Sequence, residues 1–154
     1  FPATVARCRR AVTRGNAMAD VGVLLVDDNS SFVRSATRLL HGSGAAVVLG
    51  SVGSAEEALE QLDVVRPDLI LMDISLPGMN GIEATRRLKE LPGAPQVVIV
   101  TMYDDPEYRE AALAAGADGY VVKTELEGGL IRTLMGLLAK RRVGTAVVSR
   151  GSET

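Results

Sequence analysis

Leu69-Ile70-Leu71-Met72-Asp73-Ile74-Ser75-Leu76-Pro77-Gly78-Met79-Asn80-Gly81 is the stretch that decides the fold. Four consecutive apolar residues without polar alternation predict a strand that meets water on neither face. The run ends on a carboxylate, Pro77-Gly78 marks a turn, and Asn80-x-x-Glu83 starts a helix through about Glu90. Strand, acid, loop and helix make one βα unit, and the same order recurs on both sides of it.

Upstream, Val23 to Val26 is a strand followed by Asp27-Asp28, then by Phe32, Val33, Ala36, Leu39 and Leu40 at helical spacing. That helix is expected to end at His41-Gly42, with Gly42 in the position just past the last turn. A second strand is predicted from Ala45 to Gly50, and Ser54-x-x-Glu57 has the form of a capping box opening a helix with Ala58, Leu59 and Leu62. Downstream, Gln96 to Val100 is the fourth strand, Asp105-Pro106 opens a helix that stops at Gly116, and Gly119 to Val122 is the fifth strand. Thr124 to Glu127 reads as another capping box, before a helix carrying Leu126, Leu130, Leu134 and Leu137 or Leu138 on one side. Five βα units with apolar strands predict a doubly wound, five-stranded parallel α/β domain.

The 154 residues, 47% of them hydrophobic, suit one such domain, placed at 21–142. A lone Cys8 excludes an intrachain disulfide and a Cys-x-x-Cys site. Apolar runs such as Val97 to Val100 fall far short of the roughly 20 residues of a membrane helix, so no membrane association and a soluble, cytoplasmic chain are expected. Residues 1–19 carry four arginines and no acid, and residues 140–154 sum to +3, so the stretch between them holds nine bases against eighteen acids, a net of −9. An acidic body repels nucleic acid phosphates. Residues 1–20, without apolar periodicity, read as a disordered leader or expression remnant ahead of a natural start near Met18, a transit peptide being the weaker reading. Residues 143–154 read as a flexible tail or the start of a linker.

In open α/β sheets ligands bind at the carboxyl ends of the strands. The residues there are Asp27 and Asp28, Asp73, Thr101 and Lys123. Asp27-Asp28 alone would pass as a helix cap, and Asp73 alone as a loop residue. Together, three converging carboxylates repel one another unless a cation joins them, and an all-oxygen donor set favours Mg²⁺ (or Mn²⁺) over zinc.

Asp27-Asp28, the segment from Leu71 to Gly81, Val100-Thr101 and Ala115-Gly116-Ala117-Asp118-Gly119-Tyr120-Val121-Val122-Lys123 resemble the receiver domain of bacterial two-component response regulators, over about residues 21–140. The resemblance implies a flavodoxin-like (βα)₅ fold with strand order 2-1-3-4-5, the order that serves as a general example for this class of sheet. It implies Asp73 as phosphoacceptor, Mg²⁺ bound by Asp28, Asp73 and the Ser75 main-chain carbonyl, Asp27 assisting through water, and Lys123 and Thr101 completing the catalytic set. Thr101 and Tyr120 match the family's switch pair. The implied partner is a sensor histidine kinase, the implied output a changed helix 4–strand 5–helix 5 surface that also serves a homodimer, and the only turnover self-phosphorylation and self-dephosphorylation at Asp73.

Two positions depart from the commonest pattern. Thr124 follows Lys123 where many receivers carry a proline, and Gly-Tyr-x-x-Lys without proline resembles NarL/LuxR-type regulators. Met102 follows Thr101 where many relatives keep a smaller residue; with Tyr103 and Ser75 it is expected to affect the lifetime of the phosphorylated state. The NarL/LuxR resemblance implies transcriptional output, with DNA reached only through a further domain. The alternatives are a stand-alone receiver acting on a protein partner, a receiver that never takes phosphate, and a Mg²⁺-dependent aspartyl phosphohydrolase. The last usually shows Asp-x-Asp-x-Thr after its first strand, where this chain reads Asp27-Asp28-Asn29-Ser30-Ser31. Other signals are bland. His41 suits a helix C-terminus as a positive charge, Gly50 to Gly53 reads as a strand-to-helix turn without a P-loop ending, and Lys140-Arg141-Arg142 as a solvated helix end.

Overall fold

The computed structural model describes residues 21–44, 46–137 and 139. The expectations for residues 1–20 and 143–154, for Cys8 and for Lys140-Arg141-Arg142 lie outside the described residues. The elements run β1 (Gly22–Val26), α1 (Ser30–Ser43), β2 (Val47–Val52), α2 (Ala55–Val65), β3 (Leu69–Met72), α3 (Gly81–Lys89), β4 (Gln96–Thr101), α4 (Pro106–Ala114) and β5 (Gly119–Val122). A 3-10 turn (Lys123–Glu125) then leads into α5 (residues 126–137). The five strands form one parallel sheet in the order β2-β1-β3-β4-β5, the flavodoxin-like order.

Period-two alternation sorts the apolar strand residues onto two faces, and both faces are covered. Leu24, Val26, Ile70, Met72, Val97 and Ile99 pack with Ala55 and Ala58 of α2, Ala84 and Leu88 of α3, and Ala112 of α4. Their sequence neighbours Val23, Leu25, Leu69, Leu71, Val98 and Val100 pack on the other face with Ala36 and Leu40 of α1 and Leu130, Leu134 and Leu137 of α5. The strands are therefore largely apolar because helices cover the sheet on both sides, with Ser51 in β2 and Gln96 and Thr101 in β4 as the polar positions.

The helix starts follow the sequence closely. Asn80 accepts from the Glu83 N–H, Asn29 from the Phe32 N–H, and Asp105 from the Glu107 N–H just after Pro106. Ser54 accepts from the Glu57 N–H, but the return bond of this box goes from the Gly53 N–H to Glu57 Oε1, one residue earlier than the reciprocal pattern expects.

Several boundaries differ from expectation. Helix α1 passes through Gly42 and ends on Gly44, whose φ of 70° is the left-handed conformation that only glycine adopts cheaply. Strand β2 runs two residues later than the Ala45–Gly50 segment, taking in Ser51 and Val52, and a bulge skips Leu49 as the register passes from Val23↔Val48 to Leu24↔Gly50. The Gly50–Gly53 segment is thus mostly strand rather than turn. Helix α4 does stop at Gly116 as expected: its last residue is Ala114, Ala115 is its cap and Gly116 follows at φ 106°. The turn opening at Lys123 has Val122 in the cap position, with no capping side chain. His41 stands in the last turn of α1, as expected, and its Nε2 also accepts a 3.2 Å hydrogen bond from the Val48 N–H.

Candidate functional site

The carboxyl edge of the sheet places the acids by main-chain bonds between neighbouring strands. The Asp27 N–H donates to Val52 O and the Asp73 N–H to Val26 O, both at 3.0 Å, so each acid continues its strand by one residue. Asp27 Oδ1 then accepts from the Asn29 N–H at 2.9 Å, turning the chain into α1 and leaving Asp28 exposed at the rim. Carboxylate oxygens of Asp27, Asp28 and Asp73 lie within 4.8 Å of one another, with Asp27 and Asp73 buried.

Lys123 reaches into this group from the end of β5. Its Nζ is 2.7 Å from Asp27 Oδ2 and 3.7 Å from Asp73 Oδ2, and the side chain is only 11% exposed. The contact with Asp27 has the distance of an ion pair without hydrogen-bond angles, so Asp27 Oδ2 is buried with no hydrogen-bond partner among the described residues. Burial raises the Asp73 pKa above the ordinary carboxylate value, and the Asp27 charge adds to the rise. Lys123 and the N–H groups of Ser75 and Ile74 oppose it; the Ser75 N–H stands 3.4 Å from Asp73 Oδ1. This is the balance expected of a carboxylate whose pocket holds too little positive charge.

The loop after β3 is held close. The Gly81 N–H donates to Ile74 O at 3.0 Å, and a Cβ on Gly81 would stand 2.0 Å from the Asp73 carbonyl oxygen. Only glycine lets α3 begin against the backbone of Asp73. Pro77-Gly78 is the expected turn, with Gly78 at φ 77°, and Glu56 of α2 anchors it by accepting from the Met79 N–H.

Thr101 is fully buried at the end of β4, and its Oγ1 accepts from the Tyr103 N–H at 3.3 Å. The Tyr103 carbonyl in turn accepts from Tyr120 Oη at 2.6 Å. Tyr120 is half-buried against the core, with the Arg109 guanidinium 4.6 Å from its ring centroid; burial raises its phenol pKa, and Arg109 partly offsets the rise. Met102 and Tyr103 flank Thr101 at the surface, 61% and 45% exposed. A cavity of about 310 Å³ opens beside the acids, lined by Asp27, Asp28, Ser30, Ser51, Gly53 and Glu57 among others.

The residues singled out in the sequence thus fall into two sets: Asp27, Asp28 and Asp73 clustered, with Lys123 against Asp27 and Asp73 and Ser75 against Asp73, and Thr101, Tyr103 and Tyr120 joined by hydrogen bonds, while the Met102 side chain is exposed and belongs to neither. The sequence did not single out Phe32, Arg109, Glu56 or Glu57. Phe32 was legible only as a core position of α1, Glu57 only as a capping-box acid, and Glu56 and Arg109 as solvated helix charges.

A protein-family model described as the response regulator receiver domain matches residues 23–134. The chain belongs to the response regulator receiver family. It is 37% identical over 103 residues to the response regulator GacA of Pseudomonas viridiflava, covering 67% of this chain and 48% of the relative. It is 31% identical over 112 residues to the nitrate/nitrite response regulator protein NarL of Escherichia coli K12, covering 73% and 52%. Among solved structures, a LuxR-family two-component response regulator from Aurantimonas sp. SI85-9A1 superposes with a TM-score of 0.72 at 33% identity, covering 77% of this chain and 85% of that one. The chain spans about half the length of the curated relatives it matches.

Receivers bind Mg²⁺ at an acidic pocket and interact with histidine kinases. The residues present fit such an ion: three carboxylates supply hard oxygen donors, and the buried Asp27 oxygen lacks a hydrogen bond that a metal-bound water could supply. No helix of the described residues is long and apolar enough to cross a membrane.

Proposed function

We propose that this chain is the phosphorylation-controlled input module of a transcriptional response regulator, with Asp73 accepting a phosphoryl group from a phosphohistidine on a sensor kinase in the cytoplasm. The observation that carries this reading is the ammonium of Lys123, set between Asp27 and Asp73 beside the acidic cluster. In the step proposed, an Asp73 carboxylate oxygen forms a bond to phosphorus as the phosphorus–nitrogen bond to the donor imidazole breaks, and the imidazole nitrogen takes a proton from solvent. No general base is required, because the nucleophile reacts as the anion. Burial keeps that anion basic, the Ser75 N–H orients it, and Lys123 stands ready to pair with the equatorial phosphoryl oxygens, over which charge spreads in a loose transition state. Asp28, Asp73 and the Ser75 carbonyl would hold Mg²⁺, with Asp27 contacting it through water, and the ion when bound supplies the remaining charge neutralisation.

Phosphorylated Asp73 offers the Thr101 O–H an acceptor, and a turn of Thr101 toward it stretches the bond that its Oγ1 now accepts from the Tyr103 N–H. Movement of Thr101 loosens Tyr103, and with it the carbonyl that holds Tyr120 Oη. The populations of the α4–β5–α5 face then shift by as much as the phosphoryl group distinguishes its two arrangements. That face passes the signal to an output domain and pairs two copies of the receiver. Ser75, whose N–H stands 3.4 Å from Asp73 Oδ1, and Met102 and Tyr103, which follow Thr101 in the chain, govern how long the adduct survives hydrolysis. The chain acts as a signalling protein whose only turnover is its own phosphorylation and dephosphorylation.

Incubation with a small phosphodonor and Mg²⁺, followed by intact-mass measurement, tests the reading. One phosphoryl adduct is expected, abolished by Asp73→Asn and by a chelator. An adduct that survives in folded Asp73→Asn overturns the assignment of Asp73. Absence of any adduct on the folded wild-type protein, with the small donor and with a phosphorylated histidine kinase alike, overturns the reading itself.

A further inference from the structure

The ammonium of Lys123 has a third neighbour besides the two carboxylates. Its Nζ lies 4.3 Å from the centroid of the Phe32 ring, within cation–π range. Phe32 belongs to α1, so the ammonium is held from three elements: β1 through Asp27, β3 through Asp73, and α1 through the ring. The ring itself is anchored. Its residue donates its N–H to the Asn29 cap, and the side chain packs against the core face that contains Ala36 and Leu40.

The three attractions differ in what a divalent cation would do to them. Asp27 and Asp73 are also the acids a metal would use, so a bound cation weakens the hold of both on Lys123 and repels the ammonium as well. Lysine sits on a flexible four-carbon stem and has water to escape to. The face of an aromatic ring attracts an ammonium through its quadrupole but offers Mg²⁺ no oxygen ligand. We propose that Phe32 is a positioning residue that keeps the Lys123 ammonium over the pocket when the carboxylates are committed to a metal ion, ready for the incoming phosphoryl oxygens. The inference rests on the phosphoacceptor reading above and adds to it a residue that touches neither metal nor phosphate.

Two measurements test it. The first follows the phosphorylation rate at saturating Mg²⁺. Phe32→Leu is expected to slow it by about 2- to 30-fold, the range a cation–π contact supports, while Phe32→Tyr, which keeps the ring face, restores most of the rate. Introducing mono-, di- and trifluorinated phenylalanine at position 32 withdraws electron density from the ring with little change in volume, so the rate should fall stepwise along the series. In a Lys123→Met background Phe32→Leu should cost nothing further. A flat fluorine series, or an undiminished effect of Phe32→Leu in that background, overturns the proposal and leaves Phe32 as packing.

The second measurement needs no phosphodonor. In NMR spectra of the wild-type protein the Lys123 side-chain methylene protons next to Nζ should be shifted upfield by the ring, and should stay shifted at saturating Mg²⁺. Loss of that shift on adding Mg²⁺ overturns the proposal. Failure of the wild-type protein to take phosphate overturns the phosphoacceptor reading instead, and the spectra still decide whether the ring holds the ammonium against the metal.

Discussion

Gly81→Ala isolates the contact on which the geometry of Asp73 depends. The added methyl would stand 2.0 Å from the Asp73 carbonyl oxygen, 2.8 Å from its carbonyl carbon and 3.0 Å from Ile74 Cα. All three are backbone atoms, so no rotamer change relieves the clash, and α3 must withdraw from the end of β3 by more than about 1 Å to restore ordinary contact distances. Withdrawal stretches the 3.0 Å bond from the Gly81 N–H to Ile74 O and lifts Ala84 and Leu88 from the core. Overpacking costs about 1–3 kcal/mol, and the weakened hydrogen bond about 1 kcal/mol more. The better helix propensity of alanine returns at most about 1 kcal/mol. A net loss of about 1–3 kcal/mol should appear as a lower urea midpoint with an unchanged slope. Gly42→Ala is the control, since Gly42 lies in α1 with nothing within 4 Å of its would-be Cβ. There the same substitution should stabilise by about 0.5–1 kcal/mol. A Gly81→Ala protein as stable as the wild type, or a shift of the same sign and size at both positions, would refute the steric argument.

The raised pKa of Asp73 has a sign that can be checked. A carboxyl group whose folded pKa lies above its unfolded one makes the native state bind the extra proton, so it costs stability as pH rises through that interval. Asp73→Asn should therefore raise the melting temperature at neutral pH in metal-free buffer, with the gain vanishing as pH falls below the ordinary carboxylate range. Mg²⁺ at 100 times its dissociation constant should stabilise the wild-type protein by about 2.7 kcal/mol, and Asp73→Asn by clearly less, as read by thermal melts across a Mg²⁺ series. Away from the site, Asp118 Oδ2 accepts from both Lys89 Nζ and the Val97 N–H at 2.8 Å, so Asp118→Ala should cost about 1–3 kcal/mol in urea unfolding, and Asp118→Asn less.

The sequence made the five strands and the residues at their ends legible because a buried parallel strand has no polar side, and β1 and β3 stop visibly at an acid. Asp27, Asp28, Asp73, Thr101 and Lys123 could be collected from strand ends alone, without knowing how the strands were ordered. What escaped depends on choices that one-dimensional pattern does not make. Gly42 and Gly44 both suit a helix end, and only the observed left-handed φ distinguishes them. Strand β2 lies further along the chain than its apolar run and carries a bulge at Leu49, and no residue type announces a skipped register. His41 was legible as a last-turn residue of α1, but not its partner Val48 across the connection. Phe32 carries helical spacing and nothing else in the sequence, so its place against Lys123, 91 positions later, follows only from the packing of α1 beside the end of β5.

The path from Thr101 to Tyr120 runs through the peptide groups on either side of residue 103, with the N–H taken up at one end and the carbonyl at the other. A wire made of main chain is indifferent to the side chain hung on it. As far as this linkage alone is concerned, residue 103 can be aromatic, polar or small, while its side chain serves the lifetime of the adduct separately. Proline is the one substitution that removes the donor and cuts the line. A scan of position 103 would then leave communication intact for almost every residue and sever it for one, a pattern opposite to that of a side chain that carries a signal by its own chemistry.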